Sequence, residues 1–195
     1  MTFKNVRMQI RKSFRWIHRE LGYLFVALCI IYGISGIALN HRGDWNPDLS
    51  ITRHSGIIQS NIKLDKASKS DVNKILKTID IHDDYKKHYY PSPHKLKVFL
   101  DVSGGTGSVV IDTENRHYEI EKLQRRFLIY PMNRLHRNAF KQIWTWVSDI
   151  FAISLIVFAI TGMFMMKGKY GLAKHGIYLV VIGTVIPVVI YWIYT

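Results

Sequence analysis

Four of the nine histidines stand at the ends of long apolar runs, where an imidazole could reach a dry pocket between helices. They are His18, His41, His136 and His175. A neutral imidazole is a common metal ligand, and one or two imidazoles that project from helices bind the iron of a b-type haem. The four histidines are therefore candidate haem ligands. The alternative is that they contact lipid headgroups or cap helix ends.

Small residues on the first apolar run could make room for a flat cofactor. On an ideal helix with about 100° per residue, His18, Gly22, Gly33 and Gly36 fall within a sector of about 60°. His41 lies about 140° from His18 around the same helix and about 35 Å along its axis. These two histidines cannot bind one haem, but each could bind a haem of its own at opposite ends of the helix.

The other chemical motifs are weaker. Residues 103–107 are rich in glycine, but a phosphate-binding loop needs a helix directly after it, and here a strand-like segment follows. A hairpin turn is therefore predicted.

Asp149 lies about two turns inside an apolar run, where a carboxylate usually faces an interior partner. The alternative is a hydrogen bond to Trp146 or to a neighbouring helix. Five histidines without metal-site spacing are predicted at the surface: His54, His82, His88, His94 and His117.

The elements that must position these residues are three apolar runs, at residues 21–39, 143–166 and 177–194. Each has roughly the 18–20 residues that a helix needs to cross a hydrocarbon core of about 30 Å. Three transmembrane helices are therefore predicted. A basic start before an apolar run could also be a cleaved signal peptide, but the first run is long for one.

One tripeptide pattern occurs in both of the first two runs. Ile34-Ser35-Gly36 echoes Ile160-Thr161-Gly162. Small residues at such places let helices, or a flat cofactor, approach the backbone closely. The match is too short to establish an internal repeat.

The charge of +13 and the pI near 9.8 raise the possibility of a nucleic-acid partner. A nucleic-acid surface gathers its basic residues on one folded face. Here they flank the apolar runs, and both residues 1–15 and residues 167–174 contain lysine or arginine and no acid. Because short basic flanks stay in the cytoplasm, the pattern excludes nucleic acid and places both segments inside and the long middle segment and C-terminus outside.

The middle segment has the pattern of a small α+β domain. Ser70 is the predicted cap of a helix over residues 71–79, whose apolar residues form one stripe. Three strand-like segments with alternating apolar residues follow it. They cover residues 95–102, 108–112 and 117–123. The pattern predicts a helix packed on an antiparallel sheet.

These observations define the predicted order of segments along the chain. The fold class is a membrane protein of three helices with the α+β domain inserted between the first two. The segments are a cytoplasmic basic tail (1–12), a first transmembrane helix (13–40), a periplasmic domain (41–140), a second transmembrane helix (141–166), a cytoplasmic loop (167–174) and a third transmembrane helix (175–195).

This order pairs the candidate ligands. The ends of the first two spans that flank the soluble domain share one membrane surface, so His41 and His136 are predicted to converge on one haem there. Arg42 and Arg137 beside them could bind the haem propionates. His18 is predicted to serve a second site near the cytoplasm, with His175 as its candidate partner.

Several motifs resemble the family of PepSY-associated transmembrane helix proteins, in their short three-span, Bacteroidetes-like form. In the first span these are residues 16–22, from Trp16 to Gly22, and residues 34–42, followed by Asp44-Trp45-Asn46-Pro47. Residues 135–138, 144–146 with Asp149, and 160–162 resemble the second span of that family. The resemblance covers nearly the whole chain.

Membership of this family implies a PepSY-like helix-and-sheet domain outside the inner membrane. Longer relatives include inner-membrane reductases that release iron from siderophores using bis-histidine haems. Their motif histidines correspond to His18, His41 and His136, whereas His175 stands where the family is not expected to have a histidine. With fewer spans than those reductases, this chain is expected to enclose a haem as a homodimer or within a larger membrane complex.

Two functions are therefore expected to compete. The first is an inner-membrane haem b protein that passes electrons to periplasmic ferric iron or a ferric siderophore, which would make it a membrane ferric or siderophore reductase. Its electrons would come from quinol or a protein donor, because the cytoplasmic segments are too short for a flavin or nicotinamide domain. The second is a non-catalytic, membrane-anchored PepSY interaction module or an accessory subunit of a periplasmic or transport complex.

Overall fold

The computed structural model describes residues 3–60, 62 and 64–195. The chain forms two compact units, a helical unit of Met1–Gly33 with Arg137–Thr195 and a sheet unit of Ile34–His136. The elements in chain order are α1 (Phe3–Asn40), β1 (Leu49–Ile57), α2 (Lys69–Thr78), β2 (Asp84–Ser92), β3 (Lys95–Asp101), β4 (Gly105–Asp112), β5 (His117–Arg125), α3 (Ile129–His136), α4 (Ile143–Met165) and α5 (Ile177–Tyr194).

Three helical segments among the described residues are long and apolar enough to cross a membrane: Met8–Asn40, Ile143–Met165 and Gly168–Tyr194. They follow the predicted order, with the sheet between the first and second. α1 itself begins at Phe3, within the predicted basic tail, because that stretch is rich in good helix formers and lacks proline and glycine. Gly168–Tyr170 forms a 3-10 turn and Leu172–Gly176 a π-helical turn, and these lead into α5.

The sheet is fully antiparallel, with five strands in the order β1-β5-β4-β3-β2. The three predicted strands correspond to β3, β4 and β5, and in β3 and β4 buried residues alternate with more exposed ones. Sequence patterns did not identify β1 and β2. Both are edge strands with mostly exposed, polar side chains, so neither carries the apolar alternation that marks a half-buried strand.

The core of the sheet unit lies between α2 and one face of the sheet. The apolar stripe of α2 comprises Val72, Ile75 and Leu76, all at most 3% exposed. It packs with inward side chains of β3 and β4, including Leu96 and Val98, which are both 0% exposed. This confirms the predicted helix packed on an antiparallel sheet.

The start of α2 differs from the prediction. The cap predicted at Ser70 is wrong, because Ser68 caps the helix and Ser70 lies within it. Ser68 Oγ accepts a hydrogen bond from Asp71 N at 3.3 Å, and Asp71 Oδ2 accepts one from Ser68 N at 3.0 Å. This capping box satisfies two helix-end donors, and the bonds from Ser68 lower the pKa of Asp71 below its ordinary value.

The glycine-rich segment after β3 is a hairpin turn, as predicted. Gly105 N donates to Val102 O at 2.9 Å, and Gly104 has a φ of +69°. A side chain on Gly105 would collide with the backbone of Leu123 in β5, so glycine is required where the two strands approach. The next element is β4, and no helix N-terminus is available there to bind a phosphate.

Candidate functional site

α1 and α4 pack along a seam of aromatic side chains within the helical unit. Phe151 is 2% exposed, and its ring centroid lies 5.5 Å from that of Phe25 and 5.0 Å from that of Tyr32. Phe14 and Phe164 are in contact further along the seam, with centroids 5.8 Å apart. These contacts hold the two helices in a fixed register, and that register positions His18 against α4.

His18 lies flat on Phe158, with ring centroids 3.7 Å apart. Its Nδ1 is 3.1 Å from Phe158 O and 3.2 Å from Thr161 Oγ1. The Thr161 hydroxyl donates to Val157 O at 2.8 Å, so both groups near Nδ1 act as acceptors and His18 Nδ1 carries a proton. A Cβ on Gly162 would lie 3.2 Å from His18 Cε1, so this glycine makes room for the imidazole.

His136 occupies a similar position within the sheet unit. Its Nδ1 is 3.2 Å from Ser35 Oγ, and a Cβ on Gly36 would lie 3.7 Å from its Cε1. Ser35 Oγ donates to Asn133 Oδ1 at 2.9 Å, and Asn133 Nδ2 donates to Asp48 Oδ1 at 2.9 Å. Ser35 and Asn133 are both 0% exposed.

The two positions share one construction, which we call a histidine cradle: a serine or threonine hydroxyl faces the Nδ1 of a histidine from another helix, and the next residue is glycine. The cradles are Ser35-Gly36 for His136 and Thr161-Gly162 for His18. They are the two tripeptides that echo each other in the sequence. The two hydroxyls were not predicted as functional groups, and the tripeptide echo was the one sequence signal for them. Asn133 and Asp48, which follow Ser35 in the hydrogen-bond chain, were not predicted either.

The other two candidate ligands lie in more open surroundings. His41 has a side chain that is 61% exposed, and its Nδ1 pairs with Asp44 Oδ2 at 2.9 Å. His175 is exposed and meets the Tyr170 ring edge-on at 6.3 Å. Within the described part of the chain, no hydrogen bond or ring contact joins His41 to His136 or His18 to His175. Their pairing at a haem stays a prediction.

The three glycines on the predicted cofactor face of α1 lie in different environments. A Cβ on Gly22 would lie 3.3 Å from Phe158 Cε2, so Gly22 faces the packed seam. Gly33 has open space beside it, and Gly36 faces His136. The side chains of Arg42 and Arg137 are both exposed.

The remaining polar candidates give no metal cluster. His82 pairs with Asp80 and His94 with Glu114, while His88 is half-buried and its Nδ1 lies 2.8 Å from the hydroxyl of Tyr85. No group of three or more metal-binding side chains occurs among the residues that the structure describes. Asp149 is exposed on α4, and no hydrogen bond joins it to Trp146 or to any other described residue.

Comparison with known proteins identifies one family. The family model described as PepSY_TM-like matches residues 10–195. No curated protein and no solved structure matches the chain.

Proposed function

The chain belongs to the PepSY_TM-like family over residues 10–195, and from this premise we propose that it is a haem b protein of the bacterial inner membrane that passes electrons across the bilayer. The proposed acceptor is ferric iron or a ferric siderophore in the periplasm, and the proposed donor is quinol or a protein. The basic flanks support an N-terminus in the cytoplasm and a sheet unit in the periplasm.

The observation that carries this proposal is the hydrogen bonding of the two cradled imidazoles, whose Nδ1 atoms lie 3.1 Å from Phe158 O and 3.2 Å from Ser35 Oγ. His18 and His136 each direct Nδ1–H at an acceptor of the chain, so in the neutral ring the lone pair lies on Nε2. Histidines that bind metal through one ring nitrogen usually donate the other N–H to a carbonyl or a carboxylate. The donor chemistry therefore fits imidazoles that would bind a haem iron through Nε2. A haem bound there would supply one-electron redox chemistry.

The surroundings of the cradles support a site completed by a second polypeptide. Each cradle contributes one histidine, and α5 is exposed over its whole length. Asp149 is also exposed on a candidate membrane helix, where a carboxylate is costly without a partner. A haem pocket between helices must be enclosed, and a second copy of the chain, or a larger complex, would supply the missing surface. His41 remains the proposed second ligand of the His136 site, and His175, which stands where the family is not expected to have a histidine, is the less favoured candidate at the His18 site.

The decisive measurement is the reduced-minus-oxidised absorption spectrum of the full chain, purified in nanodiscs from haem-replete cells, with the haem-to-protein ratio. We expect the spectrum of a bis-imidazole b-type haem. His136→Ala, His41→Ala and His18→Ala should each lose a haem's worth of absorbance, and His175→Ala should change little. The matched control is His82→Ala, which removes an exposed histidine. A haem-free wild-type protein, or full loading of a His18→Ala, His136→Ala double variant, would contradict the proposal.

One observation favours the second candidate function, an interaction module. β2 has the features that block pairing at a sheet edge, namely two register shifts, Pro91 and two lysines. β1 instead pairs with β5 in unbroken register from Leu49 to Ile57, and it contains no proline or lysine. An extended segment of a partner could add to this edge. Hydrogen exchange of the β1 amides tests this function. It would be favoured if the protein contains no haem and if these amides exchange slowly in native membranes but quickly after purification.

A further inference from the structure

We propose that Asp48 is a positioning residue for His136: acting through Asn133 and Ser35, its carboxylate determines which nitrogen of the imidazole carries the proton. This role deepens the proposed haem function, on which it rests for the ligand that His136 would bind. The protonation state itself is a property of the chain and can be measured without haem.

The direction of each hydrogen bond follows from the one before it. An ionised carboxylate only accepts, so the atom of Asn133 that lies 2.9 Å from Asp48 Oδ1 must be the amide nitrogen. The amide oxygen of Asn133 then faces Ser35, and the Ser35 hydroxyl must donate to it at 2.9 Å. Having donated its only proton, Ser35 Oγ can only accept from His136 Nδ1 at 3.2 Å.

Burial enforces this direction of the hydrogen bonds. Ser35 and Asn133 are 0% exposed, so water does not compete for their hydrogen bonds. A reversed chain would place the Asn133 oxygen against the Asp48 carboxylate, and a buried polar group without a partner is costly. The neutral His136 imidazole therefore keeps its proton on Nδ1 and its lone pair on Nε2.

Asp48 is held firmly at the start of the sheet. Asn46 Oδ1 accepts hydrogen bonds from Asp48 N at 3.0 Å and from Leu49 N at 2.9 Å. The carbonyl of Asp48 accepts from Arg126 N at 3.0 Å, just beyond the end of β5. The relay therefore connects three segments of the sheet unit: the end of α1, the turn before β1, and α3.

The first test reads the tautomer directly. Full-length protein with 15N-labelled histidine, prepared without haem in nanodiscs, shows by NMR which ring nitrogen is protonated, and the signal lost in His136→Ala identifies His136. We expect Nδ1–H in the wild type. In Asp48→Asn the amide can present either a donor or an acceptor, so the chain can reverse and the Nε2–H form should appear. Ser35→Ala should also lower the Nδ1–H fraction.

The matched control is Asp44→Asn, because Asp44 bonds the Nδ1 of exposed His41 in the same unit. That variant should change the His41 signal and leave His136 unaltered. A His136 tautomer that is Nε2–H in the wild type, or that does not respond to either Asp48→Asn or Ser35→Ala in folded protein, would overturn the relay.

The second test asks whether the tautomer matters for binding. Loss of such an outer partner typically weakens metal binding about 10–100-fold, so Asp48→Asn should lower haem affinity by that order and shift the reduction potential. Glu114→Gln, which alters the partner of exposed His94 away from the proposed ligands, should not. A responding tautomer with unchanged haem affinity would refute the positioning role. If no variant and no wild-type protein binds haem while the tautomer responds, the proposed function fails and the relay stands.

Discussion

At His18 a threonine hydroxyl and a glycine of α4 receive the imidazole, and at His136 a serine hydroxyl and a glycine of α1 do the same. The groups behind the hydroxyls differ. The hydroxyl of Thr161 donates back to its own helix, at Val157 O, whereas that of Ser35 leads to Asn133 and a carboxylate. The shared dipeptide thus orients an imidazole, and the next hydrogen-bond partner decides whether a negative charge acts on it.

The two cradles also depend on different parts of the fold. The His18 cradle belongs to the helical unit, where Phe151 and Thr161 are the buried side chains among the residues whose burial is described. The His136 cradle belongs to the sheet unit, whose aliphatic core is almost fully enclosed. A change in the sheet core should therefore loosen one cradle and spare the other.

The largest expected effect comes from truncating that core. Leu96 is 0% exposed between α2 and the sheet, so Leu96→Ala should lower the free energy of opening of the sheet unit by about 2–5 kcal/mol. Hydrogen exchange of the full chain in nanodiscs measures it from the amides of β3 and β4. The exposed edge residue Ile57 provides the control, since Ile57→Ala should cost little. Equal loss of protection around Thr161 in α4 would show that the cradles are not independent.

A smaller effect should distinguish the two glycines. A Cβ at Gly162 would lie 3.2 Å from His18 Cε1, tighter than ordinary contact, whereas at Gly36 it would lie 3.7 Å from His136 Cε1. Gly162→Ala should therefore displace the His18 imidazole, at a cost of about 1–3 kcal/mol. Gly36→Ala should be nearly neutral.

The measurement is the thermal midpoint of each variant together with the NMR signal of its histidine. A Gly36→Ala variant that disturbs His136 as strongly as Gly162→Ala disturbs His18 would remove the difference between the cradles.

Local patterns predicted the fold where they were strong. Alternating residues such as Leu96 and Val98 marked β3, because burial on one face imposes that alternation. The edge strands β1 and β2 carry no such requirement and were missed. The cap of α2 was placed two residues late, because Ser68 and Ser70 are both good caps and only the reciprocal bond to Asp71 distinguishes them.

The histidines of the candidate site could be found from the sequence, but most of their contacts could not. His18 and His136 are visible as imidazoles at the ends of apolar runs. Their hydroxyl partners lie 143 and 101 residues away along the chain. Such contacts depend on helix register and on the tertiary fold, which spacing within one helix cannot give. The repeated tripeptide was the one local sign of them.

The smallest predicted effect concerns the cradle hydroxyls themselves. Thr161→Val removes the hydroxyl near His18 Nδ1 and keeps the side-chain volume nearly unchanged. Phe158 O still lies 3.1 Å from that nitrogen and can accept its proton, so His18 should remain Nδ1–H and lose only about 0.5–1.5 kcal/mol. At His136 the hydroxyl of Ser35 is the group that connects the ring to Asn133, so Ser35→Ala should alter the tautomer where Thr161→Val does not. The 15N spectra of the two variants show the tautomer of each histidine. A switch of His18 to Nε2–H in Thr161→Val would mean that Phe158 O alone does not hold the proton on Nδ1. Both cradles would then depend on their hydroxyls alike.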